Sequence, residues 1–458
     1  MDVTVERMRE RGKNLAPSAA GGNTTAASGG GLEWVLDAVV DESCKAWPPQ
    51  LGPQRVRDIG SLGLNLYRGD LPAPVAVLRE EALVANEEWM RLFLASTKTL
   101  LCPHGKTTMA PQLFARQIGH GAWGITMATR HQLGIARRAG VRKIILANEP
   151  VATGDMQWIA AELDRTPYLE LYTYVDSIEL VEAWSAVRRR RPGRPISLLL
   201  EVGFSDGRTG ARTLGDAVAV AEAVHAALDL RLAGIAGFEG IIRGDAQMSA
   251  VDRVRTFLNF IAETARECER RGLFAAEPVI LSAGGSAYYD LVAEILGQAG
   301  LRARSTVILR SGCYLTHDHG FYQKFVDDLI ARSPGSAKFP IRPRPALEVW
   351  SMVQSRPQPD LTICAMGKRD AGSDVELPQP IAWCRPNRDR KAKALSDCTV
   401  VALNDQHAIL RVPQNSQLEV GDLVGFGVSH PCTTFDRWPL LYLIGKDGTV
   451  LGGISTFF

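Results

Sequence analysis

A single lysine, Lys106, stands where a short apolar run, Leu100-Leu101-Cys102, gives way to Pro103-His104-Gly105. On its own it reads as a surface charge. Held among apolar groups and beside other cations, however, a lysine loses proton affinity and becomes a nucleophile or a base. Further on, Gly203-Phe204-Ser205-Asp206-Gly207-Arg208-Thr209-Gly210 spaces glycines around Arg208. Such a loop can carry a guanidinium to a fixed anionic oxygen, or be an ordinary turn with a solvated arginine. The run Ser282-Ala283-Gly284-Gly285-Ser286 closes an apolar stretch and opens a helical one, which brings unobstructed N–H groups and a hydroxyl to one spot. That is how a phosphate is held, the plain alternative being a glycine turn. Near the C-terminus, Ser429-His430-Pro431-Cys432 puts an imidazole and a thiol at i, i+2. On an extended backbone both would point the same way, and the pair favours zinc. Two protein ligands leave zinc open to substrate, as in a catalytic site, while the bland reading is a core histidine beside an inert cysteine. His317-Asp318-His319 is a second metal-like cluster, read as a solvated loop.

These groups share a working face only if the chain places them there. From Pro74 onward, short apolar runs alternate with stretches of helical spacing. After an introductory strand, Val75 to Leu78, and a helix, Glu80 to Ala95, the strand candidates are Thr99 to Cys102, Gly124 to Ala128, Lys143 to Ala147, Leu169 to Val175, Ile196 to Val202, Leu232 to Phe238, Val279 to Ala283 and Thr306 to Arg310. Eight apolar strands joined by helices predict an α/β fold, an eight-stranded parallel β/α barrel, with a doubly wound sheet as the competing architecture. In a barrel, working residues sit at the C-terminal ends of the strands. Lys106 follows the first strand, Tyr174 lies in the fourth, Arg208 follows the fifth, Gly284, Gly285 and Ser286 follow the seventh, and Arg310 ends the eighth. All would face one mouth. Beyond about Arg342, short strand-like runs with frequent Gly, Pro and Asp predict a second, smaller, mainly antiparallel β domain. The expected division is a disordered tail at 1–31, a segment at 32–73 joining the β domain, the barrel at 74–340 and the β domain at 341–458.

The chain has 458 residues with 46% hydrophobic side chains, enough for a large core and more than one domain. A net charge of +2 argues against a nucleic-acid partner, and the run Arg188 to Arg191 reads as a solvated helix end. Eight scattered cysteines without a C-x-x-C pair suit a reducing cytoplasm. No apolar run approaches a membrane-spanning length, and the first residues are charged, so neither an anchor nor a signal peptide is expected.

The runs Pro103-His104-Gly105-Lys106-Thr107, Asp206-Gly207-Arg208-Thr209-Gly210, Gly284-Gly285-Ser286 and His430-Pro431-Cys432 together resemble the D-serine dehydratase and D-threonine aldolase family. These are pyridoxal phosphate enzymes with an alanine racemase-like barrel. The resemblance runs from about Pro74 to Tyr442. It implies that Lys106 forms the Schiff base with the cofactor aldehyde, that Arg208 approaches the phenolic oxygen, and that Gly284, Gly285 and Ser286 bind the phosphate. It further implies that Arg310 faces the pyridine nitrogen and that His430 and Cys432 hold Zn2+; Tyr174, from its place at the same mouth, is expected to line the cofactor. A homodimer is implied as well. The pattern departs from the dehydratases at Cys102, Thr108 and Met109, where they carry an arginine and a His-Lys pair, so the substrate's side chain is left open.

The function expected is dehydration of a β-hydroxy D-amino acid such as D-serine to a 2-oxo acid and ammonia. Lys106 would take the α-proton while zinc assists departure of the hydroxyl. The alternative is an aldolase that breaks the Cα–Cβ bond with a hard metal. In that branch of the family the second ligand is an aspartate, so the soft Cys432 tilts the choice towards zinc. A non-catalytic pyridoxal phosphate carrier is the remaining reading, and the extra β domain argues against it.

Overall fold

The computed structural model describes residues 31–275 and 277–458. All but one residue of the tail expected to be disordered, 1–31, therefore lies outside the described residues. The expected barrel is present. Eight parallel strands follow one another in space as Leu100–Leu101, Ser305–Leu309, Val279–Ala283, Leu230–Gly237, Ile196–Glu201, Glu170–Val175, Lys143–Leu146 and Ile125–Met127. The ring closes where Trp123 N–H donates to Leu101 O (2.7 Å) and Thr126 N–H to Pro103 O (2.9 Å). The strands read as apolar runs because both their faces are covered. One side chain set, including Cys102, Ile145, Tyr174, Leu199, Ile280 and Ile308, fills the lumen, while its alternates pack under the outer helices. Several of those helices begin on a side-chain cap. Thr129, Thr213 and Ser249 each accept from the N–H three residues on, before Arg130–Arg138, Leu214–Ala226 and Ala250–Arg270.

The antiparallel sheet is built on the long strand Leu347–Gln358, flanked by Leu423–Gly427, Gln379–Cys384 and Lys393–Ala394 on one side and by Leu361–Cys364, Ala408–Arg411 and Thr399–Leu403 on the other. Although it lies inside the 74–340 stretch, Val75–Arg79 joins this sheet and not the barrel. It runs antiparallel to Leu347–Trp350 and parallel to Tyr442–Ile444. The segment before it packs on the same sheet, with Trp47, Ile59, Leu66 and Tyr67 against Val75, Val77, Trp350 and Tyr442.

Two surface expectations are corrected. Arg188 is fully buried, its guanidinium 2.9 Å from Asp164, because the helix Ile178–Arg190 turns that position inward. His317-Asp318-His319 is not a solvated loop either. His317 and Asp318 are buried, and Asp318 accepts from the N–H groups of Gly320, Tyr322 and Gln323, ending the orphan donors of the helix Phe321–Arg332. Asp318 thus serves a helix start.

Candidate active site

Lys106 sits in a single tight turn, Gly105–Thr107, directly after the first barrel strand. It lines a cavity of about 160 Å³ at the C-terminal mouth, together with His104, Asn148, Tyr174, Glu201, Arg208, Thr209, Phe238, Gly284 and Arg310. Burial lowers the proton affinity of its amine, and the nearby charges of Arg208 and Arg310 lower it further, against the pull of Cys432 and Cys313. His104, beside it, is held well below its ordinary value by burial and by the charges of Lys106, Arg310 and Arg208, so its ring is neutral. Its Nδ1 has no protein partner.

Arg208 is delivered by the loop 203–210, which is pinned at its base where Gly203 N–H donates to Ala211 O and Ala211 N–H to Glu201 O (both 2.9 Å). Gly210 turns the chain back at φ +99, a conformation open to glycine, and its N–H donates to Asp176 Oδ2 (3.0 Å). The guanidinium of Arg208 lies 4.4 Å above the ring of Phe238. Arg310 follows the eighth strand and is only 3% exposed. It is held by donation to Ser282 Oγ (2.6 Å) and Gly237 O (2.7 Å). The ring of Tyr174 lies 5.5 Å below this guanidinium, and its hydroxyl, buried and pushed upward in pKa by that burial, finds no partner.

The glycine turn departs from expectation. The N–H groups of Gly284 and Gly285 are not free. Both donate to the buried carboxylate of Glu239, at 3.1 and 2.5 Å. Burial raises the proton affinity of Glu239, while these N–H groups and Arg310 oppose the rise. Of the three residues, Gly284 lines the cavity, Gly285 and Ser286 are not among its lining residues, and the helix Tyr289–Gly297 begins just beyond them.

His430 and Cys432 are brought together, but not by strand alternation. Pro431 is in the right-handed helical region and Cys432 begins a short helix, Cys432–Phe435. His430 Nδ1 is 2.6 Å from Asp374 Oδ2. Its proton affinity is pushed up to about 9, first by its hydrogen bond to Cys432 and then by the charges of Cys432 and Asp374. The Cys432 thiol is lowered well below its ordinary range, with Cys313 and His430 as its hydrogen-bond partners. Its sulfur lies 3.9 Å from Cys313 Sγ and 3.6 Å from Thr107 Oγ1. Thr107 is the residue after Lys106, so the β-domain pair stands next to the barrel lysine.

Sequence reasoning missed His104, Glu149, Glu201, Glu239, Cys313 and Asp374. His104 lay inside the lysine run and Glu201 opens the run that carries Arg208, so their neighbourhoods were legible; Glu239, Cys313 and Asp374 meet their partners across long stretches of sequence. Glu149 and Glu201 form a carboxyl pair at the cavity wall. Burial first, then the neighbouring Glu201 carboxyl and the charge of Asp176, push Glu149 up to about 9. Both oxygens of Glu149 and Oε2 of Glu201 lack partners.

A barrel whose strand ends carry a buried lysine and two arginines, joined to a β domain that presents a His-Cys pair, defines the class. Residues 346–444 match the family model described as a putative serine dehydratase domain. The chain is 23% identical over 389 residues to a D-threonine aldolase from Arthrobacter sp, covering 85% of this chain and 92% of that protein. Among solved structures it resembles the D-threonine aldolase from Filomicrobium marinum, with a TM-score of 0.68, 20% identity, and 86% and 97% of the two chains covered. It also resembles D-threo-3-hydroxyaspartate dehydratase from Delftia sp. HT23, with a TM-score of 0.64, 19% identity, and 84% and 98% covered. The expected likeness to the dehydratases and aldolases is borne out. No helix among the described residues is long and apolar enough to cross a membrane.

Proposed function

We propose that this protein is a pyridoxal phosphate- and zinc-dependent lyase that dehydrates β-hydroxy D-amino acids to a 2-oxo acid and ammonia. The observation that supports the reading is the Cys432 sulfur 3.6 Å from the hydroxyl of Thr107, the residue after Lys106. The cavity residues suit an anionic aromatic aldehyde. Lys106 is an amine of lowered proton affinity, Arg208 and Arg310 supply positive charge, and the partnerless buried hydroxyl of Tyr174 and Nδ1 of His104 await a polar group. Ser286 and the helix start beyond it would face the phosphate, with Gly284 and Gly285 engaged through Glu239. Pyridoxal phosphate, when bound, supplies an aldehyde that captures amines and a ring that withdraws electrons from Cα. Zinc on His430 and Cys432 supplies a Lewis acid.

The chain's own residues account for the remaining work. Lys106, its amine lowered in proton affinity by burial, would take the proton from Cα, a role worth about 10²–10⁴-fold in rate. Arg310 cannot swing, because Ser282 and Gly237 hold both arms of its fork. It fixes a polar edge at the lumen side of the cavity. Arg208, stacked on Phe238, offers its charge to an anionic oxygen from the opposite loop. Thr107 hands the lysine turn to the β domain, so that base and metal pair keep a constant separation.

A second reading is an aldolase that cleaves the same substrates to glycine and an aldehyde, favoured by the likeness to two D-threonine aldolases. The thiolate of Cys432 favours dehydration, because hard metals prefer oxygen donors. We take the working form to be a homodimer of the cytoplasm. Incubating the holoenzyme with D-serine, D-threonine and 3-hydroxy-D-aspartate and identifying products tests the function. A 2-oxo acid with ammonium that vanishes on chelation supports it, and ammonia release untouched by a chelator removes zinc from the account.

A further inference from the structure

We propose that Cys313 is a third protein ligand of the metal, so that this chain builds a two-sulfur, one-imidazole site shared between the barrel and the β domain. The proposal rests on the reading above that His430 and Cys432 hold a metal. Cys313 lies in the loop after the eighth barrel strand, three residues beyond Arg310, whereas Cys432 begins a short helix of the other domain. Although 119 residues separate them, their sulfurs stand 3.9 Å apart. Two thiolates on one tetrahedral zinc, each at about 2.3 Å, are about 3.8 Å apart. A disulfide needs about 2.0 Å, and both cysteines are free. The pair thus already has the spacing that one shared ion demands.

The third donor is oriented from behind. Asp374 holds Nδ1 of His430, two residues from Cys432, at 2.6 Å. A carboxylate on one ring nitrogen leaves the other for a metal, and such outer partners fix the tautomer and direction of a ligating imidazole. Among the described residues, no group of three or more His, Cys, Asp or Glu side chains is yet drawn together around one point. Closure of the site would require the imidazole to turn towards the two sulfurs, and the His430 side chain is 32% exposed. Three protein donors and one open position is the composition of a catalytic zinc centre. Cys313 supplies the donor that two ligands alone lack. Its loop also carries Arg310, so the ion would tie the β domain to the barrel's eighth strand as well as to the lysine turn.

Zinc K-edge X-ray absorption of the zinc-loaded holoenzyme tests this without reference to turnover. We expect two sulfur scatterers at about 2.3 Å in the native protein and one in Cys313→Ser. Zinc affinity, read by competition with a chromophoric chelator, should fall in Cys313→Ser by at least the about 10–100-fold that loss of an outer partner costs. One sulfur in the native protein, with affinity unchanged by Cys313→Ser, would overturn the third ligand and leave the His430-Cys432 site standing. Failure of the native protein to retain zinc at all would overturn both. Because the native spectrum alone counts the sulfurs, a poorly folding variant does not obscure the answer.

Discussion

Lys106 lies among cations that weaken its hold on a proton. Burial and the two arginines lower its proton affinity, which moves the amine towards the form that acts as a base. Lys106→Ala should cut turnover of a β-hydroxy D-amino acid by at least about 10²-fold and abolish the visible absorbance of the holoenzyme; a retained band would dismiss the lysine as the cofactor's anchor. Glu149 offers a separate reading of the same electrostatics. The folded carboxyl keeps its proton until about pH 9 and the unfolded one loses it near 4.5. The folded state therefore binds the proton more tightly, and the stability this contributes is complete below 4.5 and lost as pH rises through 9. Melting temperatures of native protein and Glu149→Gln, followed across that window, should diverge, with the native protein falling more steeply; parallel curves would deny the shift. Lys106, Arg208 and Arg310 were legible because each sits at a strand end, where a barrel must place its working groups. Glu239, Cys313 and Asp374 were not, since each meets its partner across 46, 119 and 56 residues respectively. No local spacing encodes such meetings.

Among the elements, the eight barrel strands were readable because burial on both faces writes them as unbroken apolar runs. Gln379–Cys384 escaped notice, carrying Pro380 and little alternation, and Val450–Ser455 is diluted by Gly452 and Gly453. The His430-Cys432 pair was found for a wrong local reason. Extended alternation was expected, while Pro431 in fact starts a helical turn. The sixth barrel strand also depends on a residue with no side chain. Gly234 pairs with Ile280, and a Cβ there would collide with the Ile280 backbone, which cannot move aside without breaking the ladder. Gly234→Ala should therefore cost about 1–3 kcal/mol or more, read as a lowered urea midpoint with unchanged slope. An unchanged midpoint would show that the strand can shift to accept the methyl group.

At the scale of the whole molecule, the two domains are interwoven by sequence. Val75–Arg79 lies between Leu347–Gln358 and Leu440–Ile444, so the β domain is not a C-terminal piece that can be cut away. Residues 341–458 expressed alone should fail to give a cooperative melt by circular dichroism, and fusion of residues 32–79 should restore one; cooperative folding of the isolated piece would contradict this. The interweaving sets the His430-Cys432 loop against the Lys106 turn, and under the proposed function that contact would let a metal and a base address neighbouring bonds of one substrate. Which bond breaks is the central claim. The most direct measurement is the product formed from D-threonine by the zinc-loaded holoenzyme: 2-oxobutanoate with an equal amount of ammonium is the outcome predicted, and glycine with acetaldehyde would contradict it.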